Sequence, residues 1–351
     1  MSPEYPLAPM VQAIRETSPK FQYGDVDLVA CGSTLGNLLR FTRGVEKSFR
    51  FNVEAVGNTV FFVRKENNPK EIIPDVHGFG HTFPDTYTTW EPEVKGSLTH
   101  QRIVKYQFGE LRCLLRFECD GYTKKFSTAT QVQSAKSGVP QNIDDDFIAA
   151  FDKTQFSDKS VSDDGDLQQL KIDHAGSAVP QQAIFDLKTR SGKYKKDINM
   201  SDITPMLWIK QVPNFIVAYH DGAGLFEDIQ VQDVRHEVYQ WERDNQDVIR
   251  RFAILLRKII ATAKEKRELL EVYCEGTQSL EVRKQYGQGR HVLPQDLHDV
   301  WTTSSQREAD FSGPAEGSHE SSNFSESDDH SDQNLDVEEA DCTAYSAEDC
   351  G

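Results

Sequence analysis

The sequence predicts a mixed α/β (α+β) domain with a central mixed β-sheet flanked by helices, and three observations carry that expectation. Two alternating apolar runs, "KSFRFNVEAVGNTVFFVRKE", meet at Gly57-Asn58, a two-residue hairpin signal. Further apolar runs, "ELRCLLRFE", "AIFDLKTR" and "NFIVAYHDGAGLFEDIQVQDV", read as strands separated by helical patterns. The stretch "YQWERDNQDVIRRFAILLRKIIATAKEKRELLEVY" places Ile249, Phe252, Leu256 and Ile259 on one stripe, the mark of an amphipathic helix covering a core.

Taken in order, "STLGNLLRFTRG" is expected to be a short helix with Ser33 as its N-cap. The Gly57-Asn58 hairpin comes next. "HQRIVKYQFG" is read as a helix leading into the strand "ELRCLLRFE". "AIFDLKTR" is a strand, "DITPMLWIKQ" a helix, and "NFIVAYHDGAGLFEDIQVQDV" two strands around a Gly-rich turn. The long amphipathic helix closes the fold. Between "ELRCLLRFE" and "AIFDLKTR" lies a polar stretch, 134–182, read as an acidic insertion within one domain, with "DDDFIAAFDKTQF" as a short helix inside it. The domain organisation expected is a partly ordered N-terminal segment (1–25), a single catalytic-like domain (26–285) and an acidic disordered C-terminal tail (303–351).

Charge supports that division. The net charge is −17, but residues 303–351 hold one Arg against fourteen acids, which is −13. The remaining 38 cations and 42 acids leave −4, so the acidity of the whole does not exclude a nucleic-acid partner. The Ser/Asp/Glu-rich tail has too few aliphatic groups to repay the entropy of folding, and is a candidate binding segment for a protein partner. Hydrophobic residues make up 37% of the chain, enough for a core. No window approaches eighteen uncharged apolar residues and the first twenty residues lack a basic-then-apolar leader pattern, so no membrane role is expected and the location is nuclear or cytoplasmic. The six cysteines show no CxxC pairing and no His-Cys spacing, which predicts reduced thiols and argues against zinc.

The chemistry concentrates in two strands. Glu118 and Asp120 alternate with Phe117 and Cys119, and Asp186 and Lys188 alternate with Phe185 and Leu187. The charged residues are either the solvated faces of edge strands or, where the strands are neighbours, three carboxylates and one ammonium converging on one side of a sheet. Such oxygen ligands suit Mg²⁺ or Mn²⁺ in phosphoester hydrolysis, with the Lys steadying the developing charge. The run "LKTRSGKYKK" comes directly after: Arg190, Lys193, Lys195 and Lys196 could track a nucleic-acid backbone and Tyr194 could stack on a base, or the run is a solvated surface. His77, His81 and His100 are read as structural hydrogen-bonding groups, Trp208, Trp241 and Phe252 as core, and Asp221-Gly222-Ala223-Gly224 as a turn unlike any P-loop.

An acid followed after a gap by (D/E)xK is the pattern of the PD-(D/E)xK nucleases, and the order of further motifs makes the likeness more specific. Arg43-Gly44, "GNTVFFVRKE", "GHTFPD" (80–85), "FECD", "FDLKT" and "VPNFIVAYHDGAGLFEDI" succeed one another as the motifs of the DXO and Rai family of decapping exonucleases do. Over residues 40 to 235 the chain resembles that family. The resemblance implies a PD-(D/E)xK nuclease-like fold acting on RNA 5′ ends. It implies metal held by Glu118, Asp120 and Asp186, a water positioned by the Leu187 carbonyl, and a pentacovalent state stabilised by Lys188. Arg43 and Gln211 then fall on the substrate side. Where the family has Glu after G-x-x-F, this chain has Pro84, with Asp85 one position later as the acid available to that element. Asp186 is a methylene shorter than the family's Glu, and the residues between the family's Gln and its Val-Pro-Asn are missing after Gln211. The function implied is a metal-dependent RNA 5′-end hydrolase; the alternative is a non-catalytic RNA- or protein-binding scaffold on the same fold.

"GFGHTFPDTYTTW", "HQRIVKY" and "RFECDGY" also resemble a group of fungal proteins, some labelled geranylgeranyl pyrophosphate synthetase. Prenyl synthases hold Mg²⁺ between two DDxxD motifs in an all-helical bundle. The one DDxxD here, Asp328-Asp329-His330-Ser331-Asp332, lies in the tail without a helical apolar face, which argues against that activity.

Overall fold

The structure, a computed structural model, describes residues 5–65, 79–80, 82–124, 171–194, 198–276, 279–302 and 348–349. The chain packs as two compact units, Met1–Lys70 with Ile103–Arg116 and Gln246–Cys350, and Glu71–Arg102 with Phe117–Asn245 and Gly351.

The first unit contains helix α1 (Ala8–Thr17), strand β1 (Leu28–Cys31), helix α2 (Gly32–Thr42) and the hairpin β2 (Ser48–Val56) and β3 (Thr59–Arg64). Gly57 adopts φ 59°, the positive value that a tight two-residue hairpin turn asks of its first position. Strands β4 (His100–Phe108) and β5 (Leu111–Cys119) contribute residues to both units. Helix α6 (Gln246–Lys266), strands β10 (Leu270–Glu275) and β11 (Glu281–Lys284), helix α7 (295–302) and the short β12 (Glu348–Asp349) complete the unit. The strands form one central mixed sheet in the order β11-β10-β2-β3-β1-β5-β4-β12. β1 runs parallel to both β3 and β5, whereas β2 is antiparallel to β3 and to β10.

Helices flank this sheet. Phe61 and Val63 pack with Val11 and Ile14 of α1 and with Leu297 and Trp301 of α7. Trp301 donates its Nε1–H to Thr59 Oγ1 (2.8 Å), whose hydroxyl donates to the Val26 carbonyl (2.6 Å). Val60 and Phe62, which alternate with Phe61 and Val63, are also buried, so β3 is covered on both faces. The expected stripe of α6 is buried at Ile249, Phe252, Leu256 and Ile259, with Phe252 against Phe108 (5.5 Å between ring centroids).

The second unit holds α3 (Thr82–Tyr87), β6 (Gly121–Tyr122), β7 (Ile184–Ser191), α4 (Met200–Lys210), β8 (Asn214–His220), β9 (Phe226–Asp233) and α5 (Arg235–Asp244). Its sheet has the order β6-β7-β8-β9, with β7 and β8 parallel and the other neighbours antiparallel. Phe83, Phe185, Leu187, Ile216, Ala218 and Phe226 form its apolar cluster.

The mixed α/β fold with a central mixed sheet and flanking helices is therefore as expected, with a second mixed sheet in the other unit. Three local expectations about element type and bounds are corrected. "HQRIVKYQF" is a strand: Arg102, Val104, Tyr106 and Phe108 are buried in strict alternation, and the charge of Arg102 hid the period of two. Helix α2 starts at Gly32, so Ser33 lies inside it and Cys31 takes the capping position without a side-chain bond. The closing helix is two helices broken at Asn245. It stops at Lys266 because Arg267 turns to φ 51°, after which "LEVY" pairs with β2 as strand β10. The insertion up to residue 170, including "DDDFIAAFDKTQF", and the tail apart from Glu348 and Asp349 lie outside the described residues. Among the described residues Cys31, Cys113, Cys119 and Cys274 are free thiols, and no helix is long and apolar enough to cross a membrane.

Candidate active site

The site is built where β5 passes through Asp120 into β6. β6 runs antiparallel to β7, with Gly121 opposite Phe185 and Tyr122 opposite Ile184. The Phe185 ring lies so close over Gly121 that a Cβ there would stand 2.6 Å from it, which reserves the position for glycine. Continuing that register brings Asp120 to Asp186. The Asp186 carboxyl comes close enough to raise the Asp120 pKa, and Asp120 Oδ2 accepts the Leu187 N–H at 2.7 Å, taking the place of a strand partner. In an extended strand the N–H and C=O of one residue face the same side, so the Leu187 carbonyl is also directed toward Asp120.

Asp186 has a second partner that sequence reading missed. Lys210 Nζ lies 3.0 Å from Asp186 Oδ2, with the two side chains only 17% and 16% exposed. Lys210 is the last residue of α4, where a cation also suits the helix dipole. Gln211 ends the helix at φ 55°, and Gln181 Nε2 donates to the carbonyls of both Lys210 (3.2 Å) and Gln211 (2.9 Å). Gln181 in turn accepts from Arg102 Nη2 (3.2 Å), and Arg102 Nη1 donates to the Val179 carbonyl (2.7 Å). The base of Lys210 is thus held by a buried polar chain. The one sequence cue to Lys210 is its place beside Gln211, and no local pattern pairs a residue with one 24 positions away.

Burial pushes Asp120 up to about 7, helped by the hydrogen bond and negative charge of Asp186 and opposed by the Leu187 N–H and Lys210. Two carboxylates so close repel each other, which favours a cation beside them. Hard oxygen donors short of positive charge fit a divalent ion such as Mg²⁺ or Mn²⁺, which commonly takes one or two carboxylates and completes its shell with water and substrate phosphate. Among the described residues no group of three His, Cys, Asp or Glu side chains is placed to hold a metal. Glu118 and Lys188 are exposed, on the strand faces that Asp120 and Asp186 share by alternation.

The structure distributes the other sequence candidates around this pair and beyond it. Asp85 is exposed on α3, and Phe83 of that helix packs with Phe185 and Leu187, the side chains that alternate with Asp186 and Lys188. Arg190 is exposed on β7 opposite Tyr219, and Lys193 lies beside Gly222 in the turn after β8. The Tyr194 side chain, Lys195 and Lys196 lie outside the described residues, as do His77 and His81. Arg43 belongs to the first unit, where its backbone N–H closes α2 on Leu39 and Arg40. His100 opens β4, and burial followed by the charge of Arg102 lowers its pKa. Trp208 is buried, donates to Glu242 (3.1 Å) and packs on Trp241, and Asp221 Oδ1 accepts the N–H groups of Ala223, Gly224 and Leu225 as a plain turn.

A sequence family described as a domain of unknown function, DUF8563, matches residues 1–301. The chain belongs to this family. No curated protein matches the sequence. In fold, this DUF8563 member is similar to Rai1 of Scheffersomyces stipitis in complex with (3′-NADP)⁺ and calcium, at 12% identity and TM-score 0.54, over 84% of this chain and 78% of that one. It is similar to Candida albicans Rai1 in complex with pU5 and Mn²⁺ at 10% identity and TM-score 0.51, over 84% and 80%. Rai1 of S. pombe in complex with 3′-FADP matches at 12% identity and TM-score 0.50, over 79% and 77%. The DUF8563 chain therefore shares the decapping-exonuclease fold, and its mixed sheets set it apart from the helical bundle of prenyl synthases.

Proposed function

We propose that this protein binds RNA 5′ ends and hydrolyses them with the help of Mg²⁺ or Mn²⁺. The observation that carries the reading is the juxtaposition of Asp120 and Asp186 where β6 pairs with β7, two partly buried acids with the single ammonium of Lys210 against them. Rai1 solved with an RNA oligonucleotide and Mn²⁺, and with dinucleotides, supports it through the shared fold.

Asp120 and Asp186 would hold the ion; Glu118, exposed on the strand face that alternation gives Asp120, is the acid the family resemblance adds to them. A bound ion supplies Lewis-acid polarisation of a phosphoryl oxygen and a water acidic enough to attack near neutral pH. The chain's own residues do the rest. The Leu187 N–H fixes the orientation of Asp120, and the Leu187 carbonyl, facing the same side, accepts a hydrogen bond from the attacking water. Lys188 extends from the face of Asp186 into solvent, where it meets charge developing on the phosphorane. Arg190 and Lys193, continued by Tyr194, Lys195 and Lys196, track the phosphate backbone; Arg43 and Gln211 are assigned to the RNA by the family resemblance, and Asp85 to the acid at the Pro84 element.

One observation favours the scaffold reading: no third acid gathers with the pair among the described residues, and Pro84 stands where the resembling family has an acid. Incubating the full chain with 5′-triphosphorylated, capped and nucleotide-cofactor-capped RNAs and Mn²⁺ or Mg²⁺ separates the two. The expected result is release of a 5′ product by the wild type, lowered at least about a hundredfold in Asp186→Asn. Tight RNA binding with no turnover on any 5′ end would establish the scaffold instead.

A further inference from the structure

We infer that Lys210 is a built-in counter-ion that competes with the divalent cation for Asp186, so that metal binding displaces its side chain. The inference rests on the reading of Asp120 and Asp186 as metal-holding carboxylates and adds a regulator to that site. In the structure the Lys210 ammonium touches Asp186 at 3.0 Å and stands 5.8 Å from the centre of the buried Phe117 ring. Its backbone is fixed by the cap on the Lys210 and Gln211 carbonyls, whereas the ammonium sits at the end of a flexible four-carbon stem.

Charge decides which cation Asp186 keeps. One ammonium against two carboxylates offsets only half of the pair's negative charge. A divalent ion neutralises both carboxylates and then stands within a few ångströms of a like-charged ammonium, which is repulsive in so sheltered a place. The two cations cannot both be partners of Asp186 at full strength. Metal affinity is therefore set partly by a residue outside every motif that suggested the site. Lys188 cannot play this part, because it is exposed.

The test is a calorimetric Mn²⁺ titration of the full-length wild type, Lys210→Met, Lys210→Arg and Asp186→Asn. Lys210→Met, which keeps the stem and removes the charge, is expected to bind Mn²⁺ about tenfold more tightly than the wild type. Lys210→Arg should behave like the wild type, and Asp186→Asn should lose binding. Equal or weaker binding by Lys210→Met would overturn the competition while leaving the metal site standing. No binding by either wild type or Lys210→Met would overturn both. A second measurement needs no variant: labelling of the Lys210 amine by an acylating reagent, read by mass spectrometry, should rise when Mn²⁺ is added. Labelling that stays constant or falls would contradict displacement.

Discussion

Glu271 and Asp120 are both sheltered carboxylates near the ends of β-ladders, and their surroundings differ in sign. Glu271 on β10 is 4% exposed. Lys65 Nζ and Arg283 Nε each lie 3.1 Å from its oxygens, Arg50 lies at 3.8 Å, and the Arg283 guanidinium also stacks on Tyr273 at 4.2 Å. Burial alone would push the Glu271 carboxyl up, but the bonds and charges of Lys65 and Arg283 more than offset it and hold the group below its ordinary range. Asp120 is raised by burial in the same way, yet its nearest partner is another acid, and it goes up to about 7. A carboxylate that serves the fold is oversupplied with cations. A pair left short of positive charge is a place where a ligand can complete the balance.

The largest effect that separates the two regions is expected from Glu271→Gln. It leaves two or three cations around a neutral buried amide and should cost about 2–3 kcal/mol in urea unfolding. The pH dependence has a definite sign. The folded pKa of Glu271 is depressed, so its stabilisation is present above the unfolded carboxylate value of about 4.3 and lost as pH falls through the folded one. The variant should lack that limb.

Asp120→Asn should do the opposite, and by less. In chelator at pH 8 it removes a charge that the fold disfavours, and a gain of about 1–2 kcal/mol is expected. The folded pKa of Asp120 is raised, so the folded wild type takes up a proton before the unfolded chain does. Wild-type stability in chelator should therefore rise as pH falls from about 7 toward about 4, and the variant should lose this part of the profile. Equal pH profiles for Asp120→Asn and wild type would erase the contrast with Glu271. The smallest effect on stability belongs to Lys188→Ala. The residue is exposed, so unfolding should shift by less than about 0.5 kcal/mol, while turnover on RNA is lost if Lys188 meets the transition state.

The same two regions show how much of the molecule is legible in its sequence. Alternation along "FECD" and "FDLKT" is enough to say which side chains share a side of each strand, but that Asp120 meets Asp186 follows from the pairing of β6 with β7, which the sequence reading took only as a condition. The Gly57-Asn58 hairpin, the strands β5 and β7–β9, and the buried stripe of α6 are legible for equally local reasons. The features that escape have non-local causes. β4 reads as a helix because Arg102 holds an inward position supported by Val179 and Gln181, more than seventy residues away. The shell of Glu271 is drawn from residues 50, 65 and 283, and no spacing announces it. Lys210 escapes for the same reason: its partner lies on another element, and in the sequence it is one more lysine at a helix end.

Whether the Asp120–Asp186 pair is a cation site is decided by the melting temperature of the wild type in chelator and in Mn²⁺, measured beside Asp120→Asn under the same conditions. A ligand that binds only the folded chain stabilises it by mass action. Mn²⁺ should raise the wild-type transition in a saturable way, and Asp120→Asn, though more stable in chelator, should lose most of that rise. A wild-type transition that Mn²⁺ leaves unmoved, or one that rises equally in Asp120→Asn, would refute the cation site.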